Sequence, residues 1–187
     1  MKSKTVLFII MFELLILTIN ISSEQKLKDW AKSINLKGVP NLHKVTNNLY
    51  RSAQPNLQGF IELKKLGIKT IINLTYLNSD QKDLENMGFN YFHISMRPDY
   101  LEEKDVIKIL KIVSELKKGP FLIHCHYGAD RTGTICAVYR IVFCGWTKDE
   151  AIDEMVNGGF GFHSQYNNLI TFIKELDIEK IKTLIGL

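Results

Sequence analysis

The chain has 187 residues, 45% hydrophobic and 24% charged, the balance of a single globular domain with room for a substantial core. Its net charge of +4 comes without a cluster of lysines or arginines, so no nucleic-acid partner is expected. Three cysteines make no disulfide framework: Cys136 and Cys144 fall on one predicted helix, about 12 Å apart along its axis and beyond bridging distance.

Residues 1–22 stand apart. Lys2 and Lys4 precede an apolar run at 6–21, broken by Glu13, Thr18 and Asn20, which is the pattern of a signal peptide or an N-terminal anchor. As a permanent span the run is short, and a carboxylate near its middle would cost roughly 2.5–3.5 kcal/mol. Ser22 and Ser23 are small, but no A-x-A cleavage pattern is present. The expected location is therefore exported: periplasmic, or attached to a membrane through this segment and facing outward, with the cytoplasm the weaker reading. Residues 23–42 read as a polar, partly helical lead-in, and 43–187 as the domain proper.

A hairpin is expected over 43–54, turning at Asn47-Asn48, residues that tolerate the positive φ of such turns. Residues 55–66 carry apolar side chains at 57, 60, 61, 63 and 66, with Pro55 at the start and Gly67 past the end, and read as a helix. A buried strand at 68–74, a short helix at 79–87 ended by Gly88, and a strand at 89–94 follow. The helix at 102–118 is amphipathic, with Val106, Ile109, Leu110, Val113 and Leu116 on one face and Gly119 as terminator. A strand at 121–124, a helix at 131–143 that is apolar on nearly every side, and helices at 147–156 and 164–176 complete the chain. This alternation predicts an α/β fold, a central and mostly parallel sheet flanked by helices, with ligands at the carboxyl ends of the strands.

Between the strand at 121–124 and the helix at 131–143 lies His124-Cys125-His126-Tyr127-Gly128-Ala129-Asp130-Arg131-Thr132-Gly133. A tight strand-to-helix loop aims successive backbone N–H groups, and the positive end of a helix, into one concavity, which is an anion site. Phosphate monoesters resist hydrolysis, so a catalyst must supply a large share of about 20 kcal/mol. Three functions are needed: a nucleophile, stabilisation of the phosphoryl oxygens, and a proton for the leaving oxygen. A thiol at a helix N-terminus is readily held as the reactive thiolate, which suits Cys125 to the first task. Arg131 offers a planar fork to two phosphoryl oxygens, and the amides of residues 126–131 can hold the rest. Thr132 could donate its hydroxyl to the departing sulfur, or serve only to start the helix. His124 is expected to order the loop through a backbone hydrogen bond. His124-Cys125-His126 superficially suggests a metal site, but strand neighbours point to opposite sides and no second ligand cluster exists. Neither metal nor cofactor is expected, and pairing of Cys125 with Cys136 under oxidation stays open.

Cys125, Arg131 six residues on, and the Thr132-Gly133 exit resemble the signature of the cysteine-dependent protein tyrosine phosphatases, closest to the dual-specificity branch. The resemblance extends from Leu49-Tyr50-Arg51-Ser52-Ala53-Gln54-Pro55 to Gly158-Gly159-Phe160-Gly161, and is greatest to small exported bacterial members. It implies a general acid on an upstream loop. Asp99, in Met96-Arg97-Pro98-Asp99-Tyr100 and 26 residues before Cys125, fits that place. Glu102, Glu103 and Asp105 are rivals, and Asp99 with Glu102 would also make a capping box. In the second half-reaction the same carboxylate would take a proton from water attacking a cysteinyl phosphate. Arg51 reads as structural or solvated. Residues 158–165 either line the pocket, with His163 or Gln165 near the water, or simply connect two helices.

The resemblance also bears on substrate. Relatives acting on inositol phosphates or phosphoinositides carry lysines inside this loop, whereas here the interior holds none and Asp130 would repel a polyanion. The expected partner is a phosphorylated protein or peptide, dephosphorylated at tyrosine and also at serine or threonine. Three alternatives remain: an inositol phosphate or phosphoinositide phosphatase, a non-catalytic phosphate-binding module, and a rhodanese-like sulfur carrier, whose loops lack the Arg-Thr-Gly exit.

Overall fold

Three short apolar runs are buried along their whole length, as parallel strands are when helices cover both faces of a sheet. They are β3 (Leu49–Ser52), β4 (Thr70–Asn73) and β6 (Phe121–His124), joined by β1 (Lys32–Ser33), β2 (His43–Lys44) and β5 (Asn90–His93) in a six-stranded sheet. The computed structural model describes residues 30–78, 80–84 and 86–187, and 31–187 form one compact unit. The leader expected at 1–22, and the lead-in as far as residue 29, lie outside the described residues.

The strand order is β1-β2-β3-β6-β4-β5, with β3, β6, β4 and β5 parallel and β1 and β2 added antiparallel at one edge. Register aligns Ser52, His124, Asn73 and His93 across the carboxyl edge of the four parallel strands. The residues that follow this row, Cys125 among them, therefore start the loops where a ligand site is expected.

Among the described residues seven α-helices cover the sheet: α1 (Leu57–Lys65), α2 (Gln81–Leu84), α3 (Glu103–Ser114), α4 (Asp130–Cys144), α5 (Lys148–Asn157), α6 (Asn168–Glu175) and α7 (Ile178–Ile185). Three of them begin at a side-chain cap, α1, α5 and α7. Asn56 caps α1 by accepting from the Gly59 amide at 2.9 Å, and Thr147 with Glu150 forms a capping box at α5. On one face Phe60 and Leu63 of α1 and Leu84 of α2 pack on Tyr50, Ile71 and Leu122 of the sheet. On the other, α4 packs against α3, α5, α6 and α7 and is buried without a break from Thr132 to Val142. That placement explains why its sequence is apolar all round.

The predicted α/β architecture holds, with four differences of physical origin. The segment from residue 31 is part of the domain rather than a lead-in: β1 pairs with β2, and Val39 and Leu42 join the core cluster. The hairpin turn does not use left-handed asparagines. The Thr46 hydroxyl closes it instead, accepting from the amides of Asn48 and Leu49 at 3.2 and 3.1 Å. Helix α3 starts at Glu103 with Glu102 as its N-cap and no side-chain cap bond, so Asp99 and Glu102 form no capping box. Residues 164–176 divide into a 3₁₀ turn (Ser164–Tyr166) and α6, and α7 follows, capped by Asp177 on the Lys180 amide.

Candidate active site

β6 delivers Cys125 to the floor of the loop, where the residue is 1% exposed. The next residues turn at Gly128, whose φ of +69° lies in the left-handed region. A Cβ there would collide with the backbone of Ser52 and Ala53 at the end of β3, so the loop can lie this close only with glycine. The chain then enters α4 at Asp130, one residue earlier than the periodicity indicates.

The outer side of this loop is held by anchors on its carbonyl oxygens. The Gln54 amide donates to His126 O at 3.2 Å, and Asn41 Nδ2 donates to Tyr127 O at 3.0 Å. Arg51 Nη2 donates to Gly128 O at 2.8 Å and reaches Ala129 O at 3.4 Å. In a trans peptide the C=O and N–H point in opposite directions. Each anchored carbonyl therefore turns the following amide away from its anchor, and the amides of Tyr127, Gly128, Ala129 and Asp130 form a run of donors for an anion.

Arg51 is thus neither solvated nor incidental. It is 1% exposed, its guanidinium lies 3.7 Å from the Phe160 ring centroid, and burial lowers its pKa against the opposing pull of Cys136, Glu154 and Cys125. In the sequence its only mark was its place in the stretch resembling the family, Leu49 to Pro55. Asn41 gave a weaker one, being an asparagine in a presumed lead-in. It adopts φ of +54° and uses Nδ2 to bridge Tyr127 O and Phe160 O, tying the loop after Cys125 to the glycine-rich connection after α5.

Arg131 reaches across the mouth of the site. Its Nη1 donates to Leu74 O at 3.3 Å and Met96 O at 3.1 Å, at the ends of β4 and of the segment after β5. Among the described residues Nε and Nη2 carry no partner, so a two-pronged face remains for an oxyanion. The Thr132 hydroxyl is fully buried and makes no hydrogen bond among the described residues, so its donor is not spent elsewhere.

His124 does not make the expected backbone bond. Its ring is fully buried with Nε2 3.0 Å from Asp80 Oδ2, off the line of an aligned hydrogen bond. Asp80 also accepts from Gln54 Nε2 at 2.7 Å and Asn73 Nδ2 at 2.8 Å. One buried carboxylate thereby joins Gln54, just after β3, to Asn73 and His124, the last residues of β4 and β6. Nothing in the local sequence around Asp80 announced this. His126, by contrast, is exposed and packs edge-on to Tyr127, so the two histidines flanking Cys125 part company.

Asp130 requires a correction. Its carboxylate is 5% exposed and accepts from the His163 backbone amide at 2.9 Å, with His163 Nδ1 2.9 Å from Oδ2. It is partnered and turned onto the connection after α5, and so cannot act as the bare repulsive charge expected from the loop's composition.

The acidic candidates upstream separate clearly. Asp99 is exposed and gripped by Arg97, with Nε to Oδ1 at 3.1 Å and Nη2 to Oδ2 at 2.6 Å, which holds its carboxyl below the ordinary range. It lies on the loop whose Met96 carbonyl fixes Arg131. Glu103 is committed to Lys180 of α7 at 2.6 Å, and Glu102 to Lys104. Asp105 is raised by burial and by Glu102, but stands within the first turn of α3.

The profile of the tyrosine phosphatase family matches residues 39–185. The dual specificity protein phosphatase TpbA of Pseudomonas aeruginosa is 30% identical over 154 residues, covering 82% of this chain and 69% of that protein. A crystal structure of P. aeruginosa TpbA as a cysteine-to-serine variant in complex with phosphotyrosine superposes with a TM-score of 0.75 at 28% identity, covering 84% of this chain and 96% of that one. The catalytic core of the PP-IP phosphatase Siw14 of S. cerevisiae, with citrate bound, gives 0.70 at 25% identity, covering 81% and 94%. A family match over nearly the whole compact unit joins a buried cysteine, an amide-lined turn and a bridging arginine, and this chain is a phosphatase belonging to the tyrosine phosphatase family.

Proposed function

We propose that the chain hydrolyses phosphotyrosine, and with it phosphoserine and phosphothreonine, in proteins or peptides through a cysteinyl-phosphate intermediate. The observation that carries this reading is the loop from Cys125 to Arg131, with its carbonyls anchored behind and its amides turned forward. A phosphoryl group seated there would meet the Cys125 sulfur from below and the Arg131 fork from the side. Sulfur attacks phosphorus, the ester oxygen departs with a proton from Asp99, and water then displaces the sulfur. The amides and Arg131 stabilise charge that grows on the equatorial oxygens, in the manner of an oxyanion hole.

The test is hydrolysis of an aryl phosphate by four proteins. Cys125→Ser should abolish turnover, and Arg131→Ala should lower it by about 10³-fold or more. Asp99→Asn should cost about 10²-fold, within the range for general acid catalysis. Phosphate binding without turnover in the parent protein would favour a non-catalytic module, and turnover of thiosulfate a sulfur carrier.

One observation favours a second substrate class. Asp130 is hydrogen-bonded to His163 and directed toward the connection after α5, which weakens its charge as an argument against a polyanion, and the yeast PP-IP phosphatase shares the fold and a quarter of the sequence. The absence of lysine between Cys125 and Arg131 still supports the phosphopeptide reading. Inositol pyrophosphates turned over faster than phosphotyrosyl peptides at equal concentration would reverse it. Export through residues 1–22 is proposed from their charge and hydropathy alone, and fractionation of the producing cell would check it.

A further inference from the structure

Asn73, the last residue of β4, is fully buried, and its side-chain amide has a partner on both polar atoms. Oδ1 accepts from the Thr75 amide at 2.7 Å, while Nδ2 donates to Asp80 Oδ2 at 2.8 Å and to Tyr91 Oη at 3.1 Å. The orientation of this amide is forced. A backbone N–H only donates, so Oδ1 must face Thr75, and a carboxylate accepts, so Nδ2 must face Asp80.

One peptide plane separates Asn73 from Arg131. The Thr75 N–H and the Leu74 C=O belong to the same trans peptide and point in opposite directions. Holding that N–H on Asn73 Oδ1 therefore aims the Leu74 carbonyl away from Asn73, and this carbonyl accepts from Arg131 Nη1 at 3.3 Å. The plane is braced on both sides. The Leu74 amide donates to His124 O at 2.8 Å, and the Thr75 carbonyl lies 2.8 Å from His93 Nε2. The backbone of Asn73 also reaches toward the second anchor of Arg131. Its carbonyl accepts from the Ile94 amide at 2.9 Å, two residues before Met96, whose carbonyl takes the same Nη1 at 3.1 Å.

We propose that Asn73 is a positioning residue for Arg131, with Asp80 fixing the orientation of its amide. Asn73 does not touch the phosphoryl group. It sets the direction of the Leu74 carbonyl, which pins Nη1 and leaves Nε and Nη2 for the oxyanion. Without that stop the arginine would keep its charge but spread over more rotamers. The two-pronged geometry that distinguishes it from a lysine would then be populated less often. The assignment rests on the reading of Arg131 as the ligand of the phosphoryl oxygens.

A double-mutant cycle in the full chain tests it, read both as orthovanadate affinity and as kcat/KM for an aryl phosphate. Asn73→Ala should lower each by about tenfold when Arg131 is present, and by less than about 2-fold when Arg131 is already alanine, because linked residues are not additive. Equal losses in the two backgrounds, or no loss in either, would show that Asn73 serves only the strand end and would overturn the proposal. Should Asn73→Ala lose the thermal transition of the parent, Asn73→Thr decides by the same criteria: it is close in volume and cannot bridge Thr75 and Asp80 at once. An Arg131→Ala chain that binds orthovanadate and turns over as well as the parent would instead overturn the reading of Arg131, and the proposal with it. A parent that binds orthovanadate without hydrolysing the ester would strike the catalytic reading alone, and the cycle in affinity would still decide the role of Asn73.

Discussion

Asp99 is asked to give up a proton, yet Arg97 stabilises the form that has already lost it. Two short contacts to one guanidinium hold the carboxyl below its ordinary value, so the protonated acid is present only toward low pH. Removing the cation raises the carboxyl back toward its usual range and enlarges the protonated fraction at any given pH. Arg97→Ala is therefore expected to move the alkaline limb of kcat/KM to higher pH for a substrate with a poor leaving group, read from the pH profile. An unmoved limb would point to a different acid. The three cysteines provide a second test at this scale. Burial pushes the Cys136 thiol up to about 11 and also raises that of Cys144, so both stay protonated near neutrality. Iodoacetamide on the native chain at pH 7 should modify Cys125 alone, Cys125→Ser should take up none, and orthovanadate should protect the parent, all measured by mass spectrometry.

Among the elements, the loop from Cys125 to Arg131 depends most on a single backbone angle. Gly128→Ala would place an L-residue at φ +69° at a cost of about 1–2 kcal/mol, and drive its Cβ into the backbone of Ser52 and Ala53. The loop would have to lift from β3, breaking the grip of Arg51 on two carbonyls, each worth about 0.5–1.5 kcal/mol. Expected results are a stability loss above about 2 kcal/mol by urea titration and loss of vanadate binding. Such a loop is legible in sequence because cysteine, turn glycine, arginine and helix start are contiguous. What supports it from behind was not legible, since Asn41, Arg51 and Asp80 reach it across the sheet from 77 to 86 residues and about 45 residues away in the chain. Asp130 was misjudged for the same reason: its charge is visible in the sequence, and its partner 33 residues later is not. Periodicity found the helices with buried faces, but not α7, a two-turn helix beyond an expected C-terminal end.

At the scale of the whole molecule, the segment after residue 30 links fold and function. The Ala31 amide donates to Glu154 at 2.7 Å, and Glu154 in turn forms a buried pair with Arg140 at 2.8 Å, joining the edge of the sheet to α4 and α5. Val39 and Leu42 fill the core beneath α1, and Asn41 between them bridges the loop after Cys125 and the glycine-rich connection. A chain starting at residue 31 keeps all of these contacts, whereas one starting at 43 loses β1, two core side chains and the bridge. Truncating one buried leucine typically costs about 2–5 kcal/mol, against a total stability of about 5–15 kcal/mol. The 31–187 chain is expected to fold cooperatively and to match the full chain in kcat/KM for an aryl phosphate. The 43–187 chain should show no cooperative thermal transition, and Asn41→Ala in the full chain separates the two contributions. It spares the core and removes the bridge, so it should lower kcat/KM by about tenfold while shifting the melting temperature by only a few degrees. An equal loss of stability in Asn41→Ala and the 43–187 chain would show that the bridge serves folding and not the site.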